Sequence, residues 1–540
     1  MSTDAGRPSE EAPLLRFDDL RIEGNSDDRW QPIVTGVSLE LRRGEFLGLV
    51  GESGAGKSTL GLAAMGYARP GCRISGGRVT FDGIDLFAAP ERARTRLRGT
   101  RIAYVAQSAA ASFNPALRLL DQTIESAVYR GLQDRAAAAA DAVDLYRRMR
   151  LPDPDSIGLR YPHQVSGGQL QRIMTAMAVS CRPDLIIFDE PTTALDVSTQ
   201  RDVLIAMREI VREVNAAAIY ITHDLAVVAQ MAHRIVVLRN GAVVEEGATR
   251  AIMAAPKADY TKTLWAVRKL SKPERTEEEP LLLEATGLDL RYGDVHALKG
   301  VSIAIPRRTT VAVVGESGSG KSTLARVIGG VATAPSGTVR FDGTALPLAV
   351  GDRDKETRRR IQLIYQSPDT SLNPRQTVRS ILARPLRFFF GLSAGALDAR
   401  IAELMRMVEL QPDLQHRCPG ALSGGQKQRV SIARALAAKP DLIICDEVTS
   451  ALDQVVQESI LKMLLGLQER FGLSYLFITH DIVTVRAIAD KVVVMNRGEV
   501  VEQGPRSTIL QPPHAAYTAD LLAAVPEMDP SWLDAYVASR

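Results

Sequence analysis

Apolar residues in this chain are grouped in short runs that recur in pairs. One pair precedes a glycine-rich turn, a second precedes two acidic residues and a third precedes a histidine: residues 46–50 and 311–314, residues 185–188 and 442–445, and residues 218–222 and 475–479. Short apolar runs bounded by turn residues are typical of strands buried on both faces of a sheet. No run reaches the roughly 18 consecutive apolar residues of a membrane-spanning helix. The pattern predicts an α/β chain, and any membrane step would depend on another polypeptide.

The same ordered phrases occur twice along the chain at a nearly constant separation. Residues 77–83 return as 337–343, 260 residues later, and residues 166–169 return as 423–426, 257 residues later. Solenoid repeats have periods of roughly 20 to 50 residues, so this separation indicates a duplicated domain. A chain of 540 residues is long enough for two large domains.

A polar, proline-flanked run over residues 271–280 marks the predicted boundary between the two copies. Such a composition cannot bury enough apolar surface to form a core, so it is typical of a linker. We predict these divisions: a disordered N-terminus over residues 1–12, a first domain over 13–268, a linker over 269–280, a second domain over 281–525 and a C-terminal tail over 526–540.

Composition and charge narrow the function only slightly. The chain has 66 basic and 63 acidic residues, and its net charge of +3 gives no field strong enough to indicate nucleic acid or anionic lipid as a partner. The four cysteines show neither the spacing of a metal site nor the density of a secreted disulfide scaffold. The first dozen residues lack the basic and apolar segments of an export signal. We therefore expect a cytoplasmic protein with reduced thiols.

Two glycine-rich turns, residues 51–58 and 315–322, match the phosphate-binding pattern G-x-x-x-x-G-K-[ST]. Glycines let successive backbone N–H groups curl around phosphate oxygens, and the following helix adds its positive N-terminal end. Lys57 and Lys321 would neutralise the β and γ phosphates. The serine after each lysine would supply a hard oxygen for Mg²⁺. Both turns therefore predict a P-loop that binds a nucleotide with Mg²⁺.

Paired acids follow the second pair of predicted strands, Asp189 with Glu190 and Asp446 with Glu447. Strand ends in doubly wound sheets present residues to ligands, so the aspartates are predicted to serve the metal and the glutamates to accept the proton of the attacking water. A single acidic pair is explained as simply by capping of a strand. Its recurrence downstream of a P-loop in both copies favours the catalytic interpretation.

Histidines end the third pair of predicted strands, at His223 and His480. An imidazole there can hydrogen-bond a γ phosphate and sense its loss. A lone histidine at a strand end is more often an ordinary capping residue. The chain has only 7 histidines, so their equivalent placement in both copies favours the functional interpretation.

The ordered set of P-loop, glutamine, Ser-Gly-Gly-Gln, Asp-Glu and histidine resembles the nucleotide-binding domain of ABC transporters, and both halves carry it. The resemblance implies an α/β fold of two P-loop NTPase domains of ABC type, each with a RecA-like core, an antiparallel β subdomain and a helical subdomain. It implies that the Ser-Gly-Gly-Gln segment of each half caps the nucleotide held by the other half. Asp196 and Asp453 match the aspartate that lies across the seam of such pairs.

The resemblance assigns roles to particular residues. The catalytic set is Glu190, Glu447, His223 and His480. The Mg²⁺ set is Ser58, Gln107, Asp189, Ser322, Gln366 and Asp446. The ATP-binding set is Gly51, Glu52, Ser53, Gly54, Ala55, Gly56, Lys57, Ser58, Thr59, Gln107, Asp189, Gly315, Glu316, Ser317, Gly318, Ser319, Gly320, Lys321, Ser322, Thr323, Gln366, Asp446 and Tyr292, with the capping residues Ser166, Gly167, Gly168, Gln169, Ser423, Gly424, Gly425 and Gln426.

Further phrases resemble the peptide/nickel importer subfamily, which takes up dipeptides, oligopeptides, glutathione or nickel chelates. These sequence motifs lie at residues 112–115, 371–374, 161–163, 260–261 and 514–518. The resemblance implies that ATP hydrolysis drives uptake through two transmembrane permease subunits served by an extracytoplasmic substrate-binding protein. It implies a peripheral position on the cytoplasmic face of the bacterial inner membrane, with no nucleic acid bound and no direct contact with the transported solute.

One departure separates the two halves. Tyr292 stands where the family stacks an aromatic ring on adenine, whereas residues 21–24 of the first half offer no aromatic side chain. Trp30 lies nearby at a different spacing. We expect the two sites to differ in adenine affinity.

Two rival classes remain open. A soluble twin-domain ABC ATPase acting on ribosomes or DNA would have no membrane partner, but such proteins join their domains by a long basic helix, and this linker is short and acidic. An exporter ATPase would lack a substrate-binding protein.

Overall fold

The computed structural model describes residues 12–26, 29–192, 195–266, 270–275, 279–450 and 452–538. The expected disordered N-terminus lies outside the described residues, apart from residue 12. Within these ranges, no helix is both long and apolar enough to cross a membrane.

Strands of the two halves correspond one to one. In the first half they are β1 (Leu15–Ser26), β2 (Arg29–Leu41), β3 (Phe46–Val50), β4 (Cys72–Phe81), β5 (Ile84–Asp85), β6 (Ile102–Val105), β7 (Leu185–Asp189), β8 (Ala217–Thr222), β9 (Arg234–Arg239) and β10 (Ala242–Ala248). In the second half they are β11 (Leu281–Tyr292), β12 (Val295–Pro306), β13 (Thr310–Val314), β14 (Ser336–Phe341), β15 (Thr344–Ala345), β16 (Ile361–Ile364), β17 (Leu442–Asp446), β18 (Ser474–Ile478), β19 (Lys491–Asn496) and β20 (Glu499–Pro505).

Helices connect these strands and fill the segments between them. The first half contains α1 (Lys57–Ala63), α2 (Glu91–Leu97), α3 (Ala109–Ser112), α4 (Leu119–Tyr129), α5 (Arg135–Arg148), α6 (Pro154–Ile157), α7 (Gly167–Val179), α8 (Val197–Glu213), α9 (Leu225–Met231), α10 (Thr249–Ala254) and α11 (Asp259–Ala266). The second half and the tail contain α12 (Lys321–Ile328), α13 (Lys355–Arg360), α14 (Pro368–Ser371), α15 (Val378–Phe390), α16 (Ala394–Met407), α17 (Gly424–Leu436), α18 (Gln454–Phe471), α19 (Ile482–Ile488), α20 (Arg506–Ile509), α21 (Ala516–Ala523) and α22 (Trp532–Ala538). Short 3-10 turns lie at Pro162–Gln164, Val350–Asp352, Pro412–His416 and Pro419–Ala421.

Each half contains an antiparallel sheet and a larger, mostly parallel sheet. In the described part of the first half the strand orders are β2-β1-β4-β5 and β10-β9-β3-β8-β7-β6, and in the second half they are β12-β11-β14-β15 and β20-β19-β13-β18-β17-β16. Every residue of β3, β7 and β8 is buried, as is every residue of β13, β17 and β18. This burial on both faces explains the short apolar runs and confirms the predicted strands.

The order of the parallel strands brings the predicted site residues together. β8 lies between β3 and β7 and is parallel to both. The P-loop follows β3, the Asp-Glu pair ends β7 and the histidine follows β8. Because parallel strands end at the same edge of a sheet, these three groups meet there. The same relation holds for β13, β17 and β18.

In each half a mostly helical segment of the sequence connects the parallel strand at the edge of the large sheet to the strand beside it. In the first half it runs from α3 to α7 between β6 and β7, and in the second from α14 to α17 between β16 and β17. Leu119, Tyr146 and Ile173 of this segment share one buried cluster with Phe188 of β7. The helical subdomain implied by the family resemblance is therefore present and packs on the strand core.

The chain forms two compact units. The first comprises Met1–Leu195, Thr199–Trp265 and Pro526–Arg540, and the second comprises Asp196–Ser198 and Ala266–Val525. The predicted C-terminal tail thus belongs to the first unit, although it follows the second domain in sequence.

The tail is held on the first unit by apolar burial and hydrogen bonds. Leu533 of α22 is fully buried in the same cluster as Met207 and Met231. The Gln230 side chain lies between the tail's backbone groups: its Nε2 donates to the carbonyl of Asp529 at 2.8 Å, and its Oε1 accepts the N–H of Leu533 at 3.1 Å. A sequence-local pattern gives no sign of these contacts, because about 300 residues separate the partners.

Part of the predicted linker contacts the second unit. The Lys272 ammonium donates to the buried carboxylate of Asp490 at 2.7 Å, and the Arg506 guanidinium donates to the Lys272 carbonyl at 3.0 Å. Glu274 accepts a hydrogen bond from the backbone N–H of Ser507. These contacts anchor residues 272–274 to the second unit.

Candidate nucleotide-binding sites

The first P-loop joins β3 to α1, and its lysine donates hydrogen bonds to backbone carbonyls of the same loop. Lys57 is 5% exposed, and its Nζ donates to the carbonyls of Gly51 and Glu52 at 2.7 and 2.8 Å. Gly56 has φ of 93°, and a Cβ there would lie 2.9 Å from the carbonyl oxygen of Ile33. Both the left-handed backbone and the close approach require glycine at this position.

The second P-loop repeats this geometry between β13 and α12. Lys321 Nζ donates to the carbonyls of Gly315 and Glu316 at 2.8 and 2.7 Å. Gly320 has φ of 101°, and a Cβ there would lie 2.4 Å from the carbonyl oxygen of Ala297. Burial lowers the pKa of Lys321 and outweighs the nearby carboxylates. A phosphate group would offset this cost of burial, because it supplies negative charge to the lysine.

The serine after each lysine contacts the predicted metal-binding aspartate. Ser58 Oγ donates to Asp189 Oδ1 at 2.8 Å, and Ser322 Oγ donates to Asp446 Oδ1 at 2.8 Å. A hydroxyl beside a carboxylate is an oxygen donor set that fits Mg²⁺, which is commonly bound by one or two protein oxygens together with substrate phosphates. Burial raises the pKa of Asp446, and the charge of Glu447 adds to this, despite the hydrogen bond from Ser322.

The glutamate after each aspartate has an unusual backbone conformation. Glu190 and Glu447 have φ of 48° and 50°, in the left-handed region that non-glycine residues seldom adopt. Their N–H groups donate to the carbonyls of Ile221 and Ile478, at the ends of the neighbouring strands. Strained backbone of this kind is concentrated at functional sites, where the surrounding structure holds it. It fixes each glutamate at the strand edge beside the P-loop.

In the first half, two of the predicted residues contact Glu190, one at each oxygen of its carboxylate. Gln107 Nε2 donates to Glu190 Oε2 at 2.9 Å, and His223 Nδ1 lies 3.3 Å from Glu190 Oε1. Burial lowers the pKa of His223, but the hydrogen bond and charge of Glu190 outweigh it, so the pKa is raised above its ordinary value. The expected contacts of the glutamine with Mg²⁺ and of the histidine with phosphate stay predictions.

The second half has the same triad. Gln366 Nε2 donates to Glu447 Oε2 at 2.7 Å, and His480 Nδ1 lies 3.5 Å from Glu447 Oε1. Burial raises the pKa of Glu447, but the hydrogen bond and charge of His480 outweigh it, so the pKa lies below its ordinary value. Glu447 is thus an anion near neutral pH, the form that can accept a proton from water.

The sequence reasoning missed Tyr104, which makes the two sites unequal. Its hydroxyl donates to Asp189 Oδ2 at 2.5 Å, so this aspartate receives hydrogen bonds from both Ser58 and Tyr104. The strand register places Leu363 at the equivalent position of β16, which cannot make this bond. Burial and the Asp189 carboxylate raise the pKa of Tyr104 and keep the phenol protonated. Aligning the two repeats would have shown a polar residue opposite an apolar one.

A second missed contact supports each P-loop from the end of its domain. The backbone N–H of Glu52 donates to Tyr260 Oη at 3.1 Å, and the N–H of Glu316 donates to Tyr517 Oη at 3.1 Å. The sequence showed both tyrosines as repeated phrases but gave no role for them. In the structure, a tyrosine of α11 and a tyrosine of α21 each hold the second residue of a P-loop by accepting its backbone N–H.

Each Ser-Gly-Gly-Gln segment begins a helix with a reciprocal cap. Ser166 Oγ accepts the N–H of Gln169 while Gln169 Oε1 accepts the N–H of Ser166, and Ser423 and Gln426 do the same. Ser166, Gly167, Ser423 and Gly424 are exposed. An exposed helix N-terminus with glycines can bind an anion, which fits the predicted capping role. The pairing of each segment with the nucleotide of the other half stays a prediction.

The remaining predicted residues lie at element ends. Asp453 caps α18 by accepting the N–H of Val456 at 3.0 Å, and Asp196 directly precedes α8. Tyr292 is the last residue of β11 and is 49% exposed.

Known protein families match the regions that carry this geometry. The family described as ABC transporter matches residues 34–193 and again 298–450, and each match contains a P-loop and an Asp-Glu pair. The chain belongs to the ABC transporter family. A second family, the C-terminal region of oligopeptide/dipeptide transporters, matches residues 501–539. The ABC architecture expected from the sequence is confirmed, and the chain is accordingly an ATPase of the kind coupled to transport.

Individual relatives extend over nearly the whole chain. The glutathione import ATP-binding protein of Salmonella choleraesuis (strain SC-B67) is 38% identical over 96% of this chain and 90% of its own length. The protein of the same name from Pectobacterium atrosepticum is 39% identical over 92% of this chain and 87% of its own length. A solved ATP-binding cassette, a dimer in a post-hydrolysis state bound to ADP and Pi, is 31% identical, with a TM-score of 0.38, over 42% of this chain and 98% of its own.

Proposed function

We propose that this ABC protein hydrolyses ATP at two sites to drive the uptake of peptides or related small solutes, such as dipeptides, oligopeptides, glutathione or nickel chelates. The observation that carries the hydrolytic part is the duplicated arrangement of a buried P-loop lysine, a serine–aspartate pair and a glutamate bound by glutamine and histidine. The importer part is supported by the oligopeptide/dipeptide transporter match at residues 501–539 and by the full-length relatives named for glutathione import.

Each group in the site has a defined task in the proposed reaction. Lys57 and the P-loop N–H groups hold the phosphates, and Ser58 and Asp189 offer oxygens to Mg²⁺, which would neutralise charge on the β and γ phosphates. Glu190 accepts a proton from the water whose oxygen attacks the γ phosphorus, and ADP leaves through the β–γ bridging oxygen. His223 orients the glutamate through the contact at 3.3 Å.

Both Ser-Gly-Gly-Gln segments are proposed to act on the nucleotide bound by the opposite half. Each half already has a P-loop for its own phosphates, and its capped helix N-terminus is a further exposed anion-binding group. Closure of the two halves on ATP would then be transmitted to two permease subunits as a rigid-body movement. An extracytoplasmic binding protein would deliver the solute. This chain would lie on the cytoplasmic face of the inner membrane and would make no contact with the solute.

A substitution of both glutamates tests the catalytic assignment. The Glu190→Gln/Glu447→Gln protein should still bind ATP with Mg²⁺ but lose about 10²-fold or more of its hydrolysis rate, because general-base catalysis contributes roughly 10² to 10⁴. Phosphate release and the ATP retained after gel filtration measure the two properties. Glu209→Gln/Glu469→Gln, with one exposed glutamate in each half, is the matched control. Hydrolysis at the wild-type rate in the double variant would contradict the assignment.

Reconstitution tests the transport assignment separately. The chain, its two permeases and the binding protein in proteoliposomes should accumulate glutathione or a dipeptide only with ATP present. Co-purification with ribosomes, and with no permease, would instead favour the twin-domain ATPase that acts on ribosomes. Efflux without need for a binding protein would favour an exporter.

A further inference from the structure

The pairing of β6 with β7 places the Tyr104 hydroxyl against the aspartate that is predicted to bind Mg²⁺ in the first half. Tyr104 is opposite Ile187, two residues before Asp189, and residues two apart on a strand lie on the same face of the sheet. The Tyr104 hydroxyl donates to Asp189 Oδ2 at 2.5 Å. The Ser58 hydroxyl donates to Asp189 Oδ1 at 2.8 Å. Each oxygen of this carboxylate therefore accepts a hydrogen bond from one side-chain hydroxyl.

The second half has the same arrangement without the phenol. Leu363 is opposite Ile444, two residues before Asp446. In the part of the chain that the structure describes, the Asp446 carboxylate accepts one side-chain hydrogen bond, from Ser322 at Oδ1. Asp189 and Asp446 are 5% and 4% exposed, so burial does not distinguish them. The two carboxylates thus differ by one hydrogen-bond donor.

The Tyr104 hydroxyl remains a donor near neutral pH. Burial of the phenol and the adjacent Asp189 carboxylate raise its pKa well above the ordinary value, although the Arg69 guanidinium acts in the opposite direction. A phenolate, which could only accept a hydrogen bond, is therefore not formed near neutral pH. Each carboxylate oxygen has about two lone-pair positions, so both oxygens of Asp189 keep one for a metal ion or for water bound to it.

A hydroxyl bound to the second oxygen has two opposite effects on metal binding. It withdraws charge from the carboxylate, which weakens the attraction for a cation. It also fixes the orientation of the carboxylate before the metal binds, so that less conformational freedom is lost on binding. In metal sites generally, removal of a group that hydrogen-bonds a ligand lowers metal affinity by about 10- to 100-fold. We therefore expect the orienting effect to be the larger one.

We propose that Tyr104 is a positioning residue for Mg²⁺ and that it makes the first nucleotide site the tighter of the two for this ion. Tyr104 acts through Asp189 and does not itself bind the metal. At limiting Mg²⁺ the first site then fills with metal and nucleotide before the second. This inference rests on the proposed function, since both P-loops must bind ATP with Mg²⁺ for the difference to exist.

Single-site proteins allow the contribution of the metal to be measured at each site without hydrolysis. In the Glu190→Gln/Glu447→Gln background, Lys321→Ala leaves the first site and Lys57→Ala leaves the second. Equilibrium dialysis with radiolabelled ATP gives the affinity in EDTA and again in excess Mg²⁺. The ratio of the two affinities follows the Mg²⁺ affinity of the protein-bound nucleotide, because metal binding and nucleotide binding are linked reciprocally. This ratio should be larger at the first site by about threefold or more.

Removal and transfer of the hydroxyl are the matched tests. Tyr104→Phe in the first-site protein should lower the ratio about tenfold and leave the affinity in EDTA within about twofold. Leu363→Tyr in the second-site protein should raise the ratio. Leu363→Phe, which adds the ring without the hydroxyl, is the control and should not raise it.

Two results would overturn the inference and leave the proposed function standing. One is a ratio that Tyr104→Phe leaves unchanged or raises. The other is an equal loss of affinity in EDTA and in Mg²⁺, because a residue that only stabilises the fold would affect both conditions alike. Absence of bound ATP from both single-site proteins would instead contradict the proposed function.

Discussion

Individual side chains give different surroundings to the two aspartates that are predicted to bind Mg²⁺. Asp189 accepts hydrogen bonds from Ser58 and Tyr104, whereas Asp446 accepts one from Ser322 in the corresponding place. The sequence predicted both aspartates because each ends a local apolar run. It could not predict the Tyr104 contact, since the two partners are 85 residues apart and meet only through the pairing of β6 with β7.

Removal of the Tyr104 hydroxyl tests this contact at the scale of one residue. Tyr104→Phe should lower the free energy of unfolding by about 1.5 to 3 kcal/mol, which is the usual contribution of a hydrogen bond to a charged acceptor. Urea unfolding measures the change. Tyr129→Phe, at a position that is 83% exposed, is the control and should change stability little. Equal effects of the two substitutions would contradict a stabilising Tyr104–Asp189 bond.

Elements meet closely where the Ser-Gly-Gly-Gln helices cross their neighbours. A Cβ on Gly168 would lie 2.2 Å from Thr199 Cγ2 of α8, and a Cβ on Gly425 would lie 2.6 Å from Val456 Cγ1 of α18. The first glycine of each segment is less confined: Gly167 has no atom within 4 Å of the same position. Sequence reasoning gave both glycines one role in phosphate binding, whereas the structure also makes the second a packing residue.

Paired alanine substitutions separate the roles of these two glycines. Gly168→Ala should destabilise the protein by about 1 to 3 kcal/mol, the usual cost of overpacking. Gly167→Ala should leave stability unchanged or raise it by up to about 1 kcal/mol, because alanine is the better helix former. Thermal unfolding measures both. If the Gly167→Ala protein were as unstable as the Gly168→Ala protein, the close contact between α7 and α8 would not be the reason that position 168 requires glycine.

The whole chain is organised by a duplication that the sequence revealed and by a tail contact that it did not. The repeated motifs and the apolar runs of buried strands predicted two domains. They also predicted that the P-loop, the acidic pair and the histidine lie at strand ends, which the structure places at one edge of each large sheet. The sequence predicted a C-terminal tail over residues 526–540 but did not indicate what the tail contacts. Its docking depends on Gln230, whose bonds to Glu527 and Asp529 join residues almost 300 positions apart. No local pattern encodes a contact of that range.

Truncation of the buried tail residue tests its contribution to the first unit. Leu533→Ala should destabilise that unit by about 2 to 5 kcal/mol, the range for a buried leucine. Val537→Ala, in the same helix and 40% exposed, is the matched control. Limited proteolysis within residues 199–265 should become faster in Leu533→Ala alone. Unchanged cleavage in both variants would show that α22 does not stabilise the first unit.

The docked tail also imposes an order on synthesis. Residues 526–538 leave the ribosome only after residues 266–525 have been translated, which takes roughly 10 to 50 s at about 5 to 20 residues per second. During that interval the apolar surface that later receives Leu533 is already made but still uncovered. The first unit is therefore completed only after the second has been translated, and nascent-chain chaperones have that interval in which to bind it.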